Sequence, residues 1–418
     1  MQVFKFGGAS VKDAPAIRNL ASILQTYSPE ELLVVISAMG KTTNFMERLL
    51  KTYTLGEGTA PLVEELMQYH YDILHELLPE DINGKKRLDL LRTELEQLLT
   101  HPYNGDYDFA YDQIVSMGEL LSTTLISYYL NTVGIRNTWL SACEMIFTDT
   151  THREGKVNWT ETTRRVQAMV PPAIAASGLV ITQGFIGQSS DQHRVTLGRE
   201  GSDYSAAIFA FILNATRVTI WKDVPGLLNA DPKRFPDAVK IDRIPYQEAI
   251  ELSYYGASVI HPKTLKPLQN KHIPLFVQSF YHPEEEGSMI GDCPLSTDIP
   301  SYIVKEHQTL MTIFPRDFSF VAEENLSELF GLFAQYRIRI NMMQNSAVSF
   351  SVCTDADRDR IQLCVNEMHK KYKVKYNEQV TLVTIRHYTP EAIQRVTEGR
   401  TILMRQTSRT TIQFVLRG

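Results

Sequence analysis

Over the first 280 residues, short apolar runs alternate with stretches in which apolar positions return every three or four residues. The runs Gln2–Phe6, Leu32–Ser37, Leu179–Gly184, Arg217–Trp221 and Ile273–Gln278 predict strands covered on both faces. Between them, Leu120–Leu130, Ser205–Leu213 and Tyr246–Tyr254 carry helical spacing. Such alternation needs crossover connections, so the expected architecture is a largely parallel sheet sandwiched by helices. Ligands of such sheets gather at the carboxyl ends of the strands. Residues Ala60–Leu99 keep helical spacing and predict a hairpin broken near Pro79–Gly84, a lid or packing insert without chemistry of its own.

The pattern changes after about residue 280. His282–Asp298, with Pro-Glu-Glu-Glu-Gly, Gly-Asp and Cys-Pro, has no periodicity and is expected to be a linker or exposed loop. Strands follow at Thr309–Phe314, Ile338–Met343, Val348–Cys353, Val380–Ile385, Thr401–Gln406 and Thr411–Leu416. Helices are predicted at Asn325–Tyr336, capped by Asn325 and Glu328, at Asp357–Tyr372, and from Thr389-Pro390 onward. The repeated β-α-β-β order predicts one complete small α+β unit and a second, shortened one.

At 418 residues the chain exceeds one ordinary core, which implies two or three domains. A formal charge of −6 with scattered basic residues gives nucleic-acid binding no support. The four cysteines form no CxxC pair and the 11 histidines no HExxH spacing, so neither a disulfide framework nor a structural zinc site is expected. Met1 runs straight into a strand and no apolar run is long enough to span a bilayer. The expected location is the cytoplasm.

Two glycine corners carry the candidate chemistry. Val195-Thr-Leu-Gly-Arg-Glu-Gly-Ser-Asp-Tyr204 runs into an apolar helix, whose first amides are unpaired donors at the positive end of its dipole. Arg199 adds a planar fork suited to a carboxylate or phosphate. Lys5-Phe-Gly-Gly-Ala-Ser10 places an ammonium beside two glycines at the end of the first strand, where amides can approach phosphate oxygens. Together they suggest transfer of a phosphoryl group between two bound anions. Ser37-Ala-Met-Gly-Lys-Thr-Thr-Asn44 contains Gly-Lys-Thr but lacks the first P-loop glycine. Glu119, in Ser116-Met-Gly-Glu119, reads either as a surface acid stabilised by a helix dipole or as a partner for a substrate ammonium. Lys222-Asp-Val-Pro-Gly226 reads as a plain β-turn or a loop around a nucleotide.

In order along the chain, these segments resemble the aspartate kinases of the amino-acid-kinase superfamily. Thr182-Gln-Gly-Phe-Ile-Gly187, Ala230-Asp-Pro232 and Gly256-Ala-Ser-Val-Ile-His-Pro262 extend the match over nearly all of residues 1–280. The resemblance implies an α/β fold, a three-layer αβα sandwich of carbamate-kinase-like type, followed by small α+β ACT-like (ferredoxin-like) regulatory modules. It divides the chain into a catalytic domain (1–285), a linker (286–306), a first ACT-like module (307–378) and a shortened second one (379–418). It implies ATP-dependent phosphorylation of the side-chain carboxylate of L-aspartate to 4-phospho-L-aspartate, the entry to lysine, threonine and methionine. Lys5 would stabilise the transferring group with Gly7, Gly8 and Ser10, and Asp203 would hold Lys5 or organise the metal-phosphate region. Arg199 and Ser202 would clamp a carboxylate of aspartate, Glu119 its ammonium, and Ser37 and Thr43 would line that pocket. Lys222, Asp223 and Lys233 would surround the nucleotide, with Mg²⁺ carried by its phosphates. Lysine or threonine would act at the ACT-like modules, through which a homodimer would form.

The sequence also departs from that family. Ala9 replaces a hydroxyl residue, Leu228 a tyrosine, Lys233 an arginine and Ser258 a lysine. Glu200 replaces a glycine and is expected to point outward, since an inward carboxylate would oppose phosphate. Lys5→Ala is expected to cut turnover with little loss of folding. Two other readings stand beside the first: a kinase for glutamate, acetylglutamate or carbamate, and a non-catalytic or weakly active amino-acid sensor on a kinase scaffold. Retention of Lys5, Glu119, Arg199 and Asp203 weighs against the sensor.

Overall fold

The structure is a computed structural model and describes every residue except 28–29, 258–259, 297–298, 317–319 and 356. The chain divides into two units. The first is Met1–Leu227, Lys240–Ile250 and Val259–Ser296; the second is Leu228–Val239, Glu251–Ser258 and Thr297–Gly418.

An eight-stranded sheet forms the centre of the first unit. Its order across the sheet is Arg243–Pro245, Ser288–Gly291, Leu275–Ser279, Val218–Lys222, Gln2–Phe6, Leu32–Ile36, Leu179–Gln183 and Thr138–Leu140. Every pairing is parallel except Leu275–Ser279 with Ser288–Gly291. The five expected strands are all present, and Leu32–Ile36 and Leu179–Gln183 are buried at every position. Gln2–Phe6 lies between Leu32–Ile36 and Val218–Lys222, so successive crossovers depart on opposite sides of it. That reversal opens a crevice at the carboxyl ends of these strands. Trp221, stacked on Phe6 with ring centroids 5.9 Å apart, anchors the core beneath it.

Helix Gly201–Leu213 is apolar almost all round and buried at most positions, as an internal helix must be. The expected helical hairpin is present as Ala60–Leu77 and Ile82–Thr100, with Asp81 capping the second helix through the Gly84 amide. The linker expectation for 282–298 needs correction. Ser288–Gly291 is a strand of the central sheet, and Ser288 Oγ accepts from the Leu227 amide. A four-residue strand is too short to show a period of two.

The second unit carries an antiparallel six-stranded sheet in the order Ile340–Asn345, Phe350–Asp355, Ser301–Pro315, Tyr372–Arg386, Thr411–Arg417 and Thr401–Thr407. Its two 15-residue strands, Ser301–Pro315 and Tyr372–Arg386, pair along their whole length and serve both ACT-like modules. The register shifts between Lys305 and Leu310, where one module gives way to the other. His307 and Gln379 both have left-handed φ there and meet through Nδ1 and Oε1 at 2.6 Å.

The second module, expected from 379–418 to be shortened, gains a strand from elsewhere in the chain. Ser301–Lys305 pairs with Leu382–Arg386 and completes a four-stranded layer under helix Pro390–Thr397. The missing strand comes from ahead of the first module, so reading onward from residue 379 could not find it. Asn325 is likewise not the N-cap of its helix, which spans Glu323–Gln335. Its side chain instead accepts from the Ala322 amide one turn back, while Glu328 pairs with Lys371 at 2.8 Å.

Candidate active site

Four strand ends in the first unit deliver small-residue turns to one place. The amide of Gly40 donates to the Gly8 carbonyl at 2.9 Å, and a Cβ on Gly8 would lie 2.8 Å from the carbonyl oxygens of Ala38 and Gly40. A Cβ on Gly184 would lie 2.5 Å from the Ser202 Cβ, so the start of helix Gly201–Leu213 sits directly against that strand end. These contacts are closer than van der Waals distance allows, so both positions exclude any larger residue.

Lys5 and Asp203, 198 residues apart in sequence, are bound together here. Lys5 Nζ lies 2.6 Å from Asp203 Oδ1, with the residues 8% and 3% exposed. Lys222 Nζ approaches the other oxygen, Oδ2, at 3.5 Å. Burial by itself would raise the Asp203 carboxyl, but the two ammonium groups outweigh it and hold the pKa below the ordinary value. The result is a cationic pair locked on a buried carboxylate at the positive end of a helix.

Glu119 is 2% exposed, which rules out a surface acid. It lies in the first turn of Met117–Thr132; Oε1 accepts from the Ala38 amide at 3.4 Å, and Oε2 is buried without a hydrogen bond. Burial pushes its pKa up to about 8. An orphaned buried carboxylate oxygen calls for a cationic partner from outside the chain.

The remaining expected residues divide. Ser37 follows its strand, with its carbonyl accepting from Ser122 Oγ, and Thr43 lies in the first turn of Thr42–Thr54. Ser202 opens the helix beside Gly184, and the Arg199 guanidinium is exposed. Gly7 lies against Lys5 Nζ, which a Cβ there would meet at 3.4 Å. The buried Ser10 directs its hydroxyl to the Trp221 carbonyl at 3.4 Å. Asp223 is exposed on the turn after Val218–Lys222. Lys233 and Leu228 belong to the second unit, and Ser258 lies outside the described residues.

Comparison with known proteins identifies the family. The amino acid kinase family pattern matches residues 1–279. Lysine-sensitive aspartokinase 3 of Escherichia coli strain K12 is 31% identical over 398 residues, 92% of this chain and 86% of that protein. The chain belongs to the amino acid kinase family, among its aspartokinases. Aspartokinase 1 of Arabidopsis thaliana chloroplasts is 32% identical over 374 residues, 85% of this chain and 63% of that protein. Against bifunctional aspartokinase/homoserine dehydrogenase 2 of E. coli, the chain spans only 38% of the relative's length. Among solved structures, E. coli aspartokinase III with aspartate and ADP superposes with a TM-score of 0.86 at 27% identity, covering all of this chain and 96% of that one. The same enzyme with lysine and aspartate gives 0.81 at 28% identity, with the same coverage.

The expectation that Glu200 points outward is overturned. Glu200 has φ +54 and caps helix Gly201–Leu213, its carbonyl accepting from the amides of Asp203 and Tyr204. Its Oε2 is buried without a hydrogen bond. Burial raises its pKa, and the charges it feels are Lys222 first, then Asp203, Arg199 and Lys5. One carboxylate oxygen is therefore held away from solvent.

Sequence reasoning also missed the supports of the site. Asp112, fully buried, accepts from Thr196 Oγ1 at 2.6 Å and from the Arg153 amide, tying the strand before Arg199 to a distant loop. Thr123 accepts from Trp139 Nε1 and Gln183 Nε2, bracing the helix that carries Glu119 against the sheet. Asp112 and Thr123 stand in no segment that the sequence singles out for chemistry; only their burial marks them.

Proposed function

We infer that this chain catalyses transfer of the γ-phosphoryl group of ATP to the side-chain carboxylate of L-aspartate, forming 4-phospho-L-aspartate and ADP. The observation that carries the reading is the buried Lys5–Asp203–Lys222 cluster at the carboxyl ends of the central strands, with Glu119 Oε2 left without a hydrogen bond in the same fold unit. The E. coli relative solved with aspartate and ADP supports the same pair of ligands here.

Phosphoryl transfer demands positioning and charge neutralisation rather than covalent help. Lys5 and Lys222 neutralise charge on the phosphoryl oxygens, and Asp203 fixes both ammonium groups before the nucleotide arrives. Gly7, Gly8 and the first amides of Gly201–Leu213 supply donors at close approach. Glu119 receives the α-ammonium of aspartate, while Arg199 and Ser202 take a carboxylate and Ser37 and Thr43 line the acceptor side. Asp223 acts towards the nucleotide; Ser10 contributes by fixing its turn. Among the described residues no group of three or more His, Cys, Asp or Glu side chains gathers to hold a metal ion. We assign Mg²⁺ to the nucleotide phosphates, as part of the substrate.

Lysine is the favoured effector at the ACT-like modules, since the E. coli relative is named lysine-sensitive and was solved with lysine; threonine is the other candidate. The strand edges Ile340–Asn345 and Thr401–Thr407 suit pairing into a homodimer. Four free cysteines fit a reducing cytoplasm, and among the described residues no helix is long and apolar enough to cross a membrane. The test is ATP turnover with aspartate, trapped as the hydroxamate, against glutamate as acceptor. Aspartate-dependent product, inhibited by lysine, is expected; tight amino-acid binding without product would favour the sensor.

A further inference from the structure

Three consecutive residues of one short helix, Tyr111, Asp112 and Gln113 in Tyr107–Val115, are all buried and bind three different segments of the first unit. Successive helical residues point about 100° apart, so each meets its own neighbour. The Tyr111 hydroxyl donates to Glu47 Oε1 at 3.0 Å, on the helix Thr42–Thr54 that also carries Thr43. Gln113 Nε2 donates to the Arg194 carbonyl at 2.8 Å, and its Oε1 accepts from the Arg194 amide at 3.3 Å. Asp112, between them, accepts from Thr196 Oγ1 at 2.6 Å and from the Arg153 amide at 3.0 Å, and His152 Nδ1 lies 2.8 Å from its Oδ2.

The strand Arg194–Thr196 runs on into Gly198 and Arg199. Beside it, Arg153 is held at φ +67, a left-handed conformation costly for a residue with a side chain. Its amide rests on Asp112 and its carbonyl against Gly198, where a Cβ would lie 3.2 Å from the oxygen. The Gly155 amide closes the same loop onto the Thr196 carbonyl at 2.9 Å. Strain of this kind persists only where the surroundings hold it, and the holding group here is a fully buried carboxylate. The Arg199 side chain is exposed, so the seat of its backbone sets its direction. The helix bearing Asp112 leads through Ser116 directly into Met117–Thr132, which carries Glu119.

We propose that Asp112 is a positioning residue for the acceptor: it fixes the Arg199 loop to the helix that precedes Glu119, and so holds the carboxylate clamp in register with the ammonium site. The proposal rests on the reading above that Arg199 and Glu119 receive the two charged ends of aspartate.

Steady-state kinetics of the full chain, with the acyl phosphate trapped as hydroxamate, test it. Asp112→Asn keeps the shape but brings an amide donor to donors that need an acceptor. It is expected to raise KM for aspartate about tenfold, the worth of a hydrogen bond to a charged group, with KM for ATP unchanged. Thr196→Val removes one donor and must move KM for aspartate the same way by a smaller factor; it serves if Asp112→Asn folds poorly. Because Asp112 acts through Arg199, Asp112→Asn in an Arg199→Ala background is expected to add nothing to KM for aspartate. Either single variant leaving KM for aspartate unchanged, an equal rise in both KM values, or effects that multiply in the double variant overturns the proposal while leaving the aspartate site standing. An Arg199→Ala chain with unaltered KM for aspartate overturns that part of the site and the proposal with it. A chain merely loosened by the substitution would lose turnover with both substrates alike and would show no dependence on Arg199.

Discussion

Lys5 and Asp203 form a nearly solvent-free ion pair, Nζ to Oδ1 at 2.6 Å, joining the first strand of the chain to the helix that begins at Gly201. Breaking a buried pair leaves an uncompensated charge, which costs far more than the pair itself contributes. Asp203→Asn removes the partner of two ammonium groups and should lower unfolding stability by about 3–5 kcal/mol. Lys5→Ala should cost less, because Lys222 remains 3.5 Å from the carboxylate. Both should reduce turnover at least about a hundredfold, as loss of a preorganised charge does. Urea unfolding beside the hydroxamate assay checks this. It revises the expectation from sequence that Lys5→Ala would leave folding almost untouched.

Glu119 should show itself in the pH dependence of stability. Burial raises its folded pKa to about 8, above its value in the unfolded chain. The folded state then holds a proton that the unfolded state has released, so the stabilising contribution is complete at low pH and is lost as pH rises through about 8. Between the two pKa values the slope should be about −1.4 kcal/mol per pH unit from this group. Glu119→Gln should flatten that slope, and an unchanged profile in the variant would count against the assignment.

Aspartate binding should displace that same proton. At pH 7 the uptake of an α-ammonium by Glu119 requires the ionised carboxylate, so titrations in buffers of different ionisation enthalpy should report proton release. Glu119→Gln should abolish the release and raise KM for aspartate about 10- to 100-fold, the value of a charged hydrogen bond, while KM for ATP stays put. Arg199→Ala should also act on aspartate rather than on nucleotide. If KM for ATP moved instead, the two ligand sites would be wrongly divided.

Gly184→Ala tests the seating of the Gly201 helix. The added Cβ would lie 2.5 Å from Ser202 Cβ and 2.7 Å from its Cα, so backbone must move. Overpacking of this kind should cost about 1–3 kcal/mol. Because the displaced helix start carries Ser202 and Asp203, KM for both substrates should rise together, which steady-state kinetics would read directly.

Much of the catalytic half was legible in the order of residues. Uniformly apolar strands such as Leu32–Ile36 announce burial on both faces, and glycine turns after strands mark where ligands collect. Lys5, Glu119, Arg199 and Asp203 stood out because each sits in or beside such a turn. Short strands with no room for a period, such as Ser288–Gly291, stayed hidden, and so did buried supports such as Asp112.

Composition, periodicity and turn chemistry act between near neighbours, and so the sequence alone determined the element types, the parallel sheet and the corners where anions are held. Tertiary structure alone decided that Ser301–Lys305 completes a module beginning some 80 residues later, because strand pairing has no limit in sequence distance. It alone turned Glu119 from a possible surface acid into a buried, proton-holding one, and brought Glu200 inward against the charge expected to keep it out. Desolvation and electrostatic coupling depend on what surrounds a side chain in space, which the residues beside it in the chain do not specify.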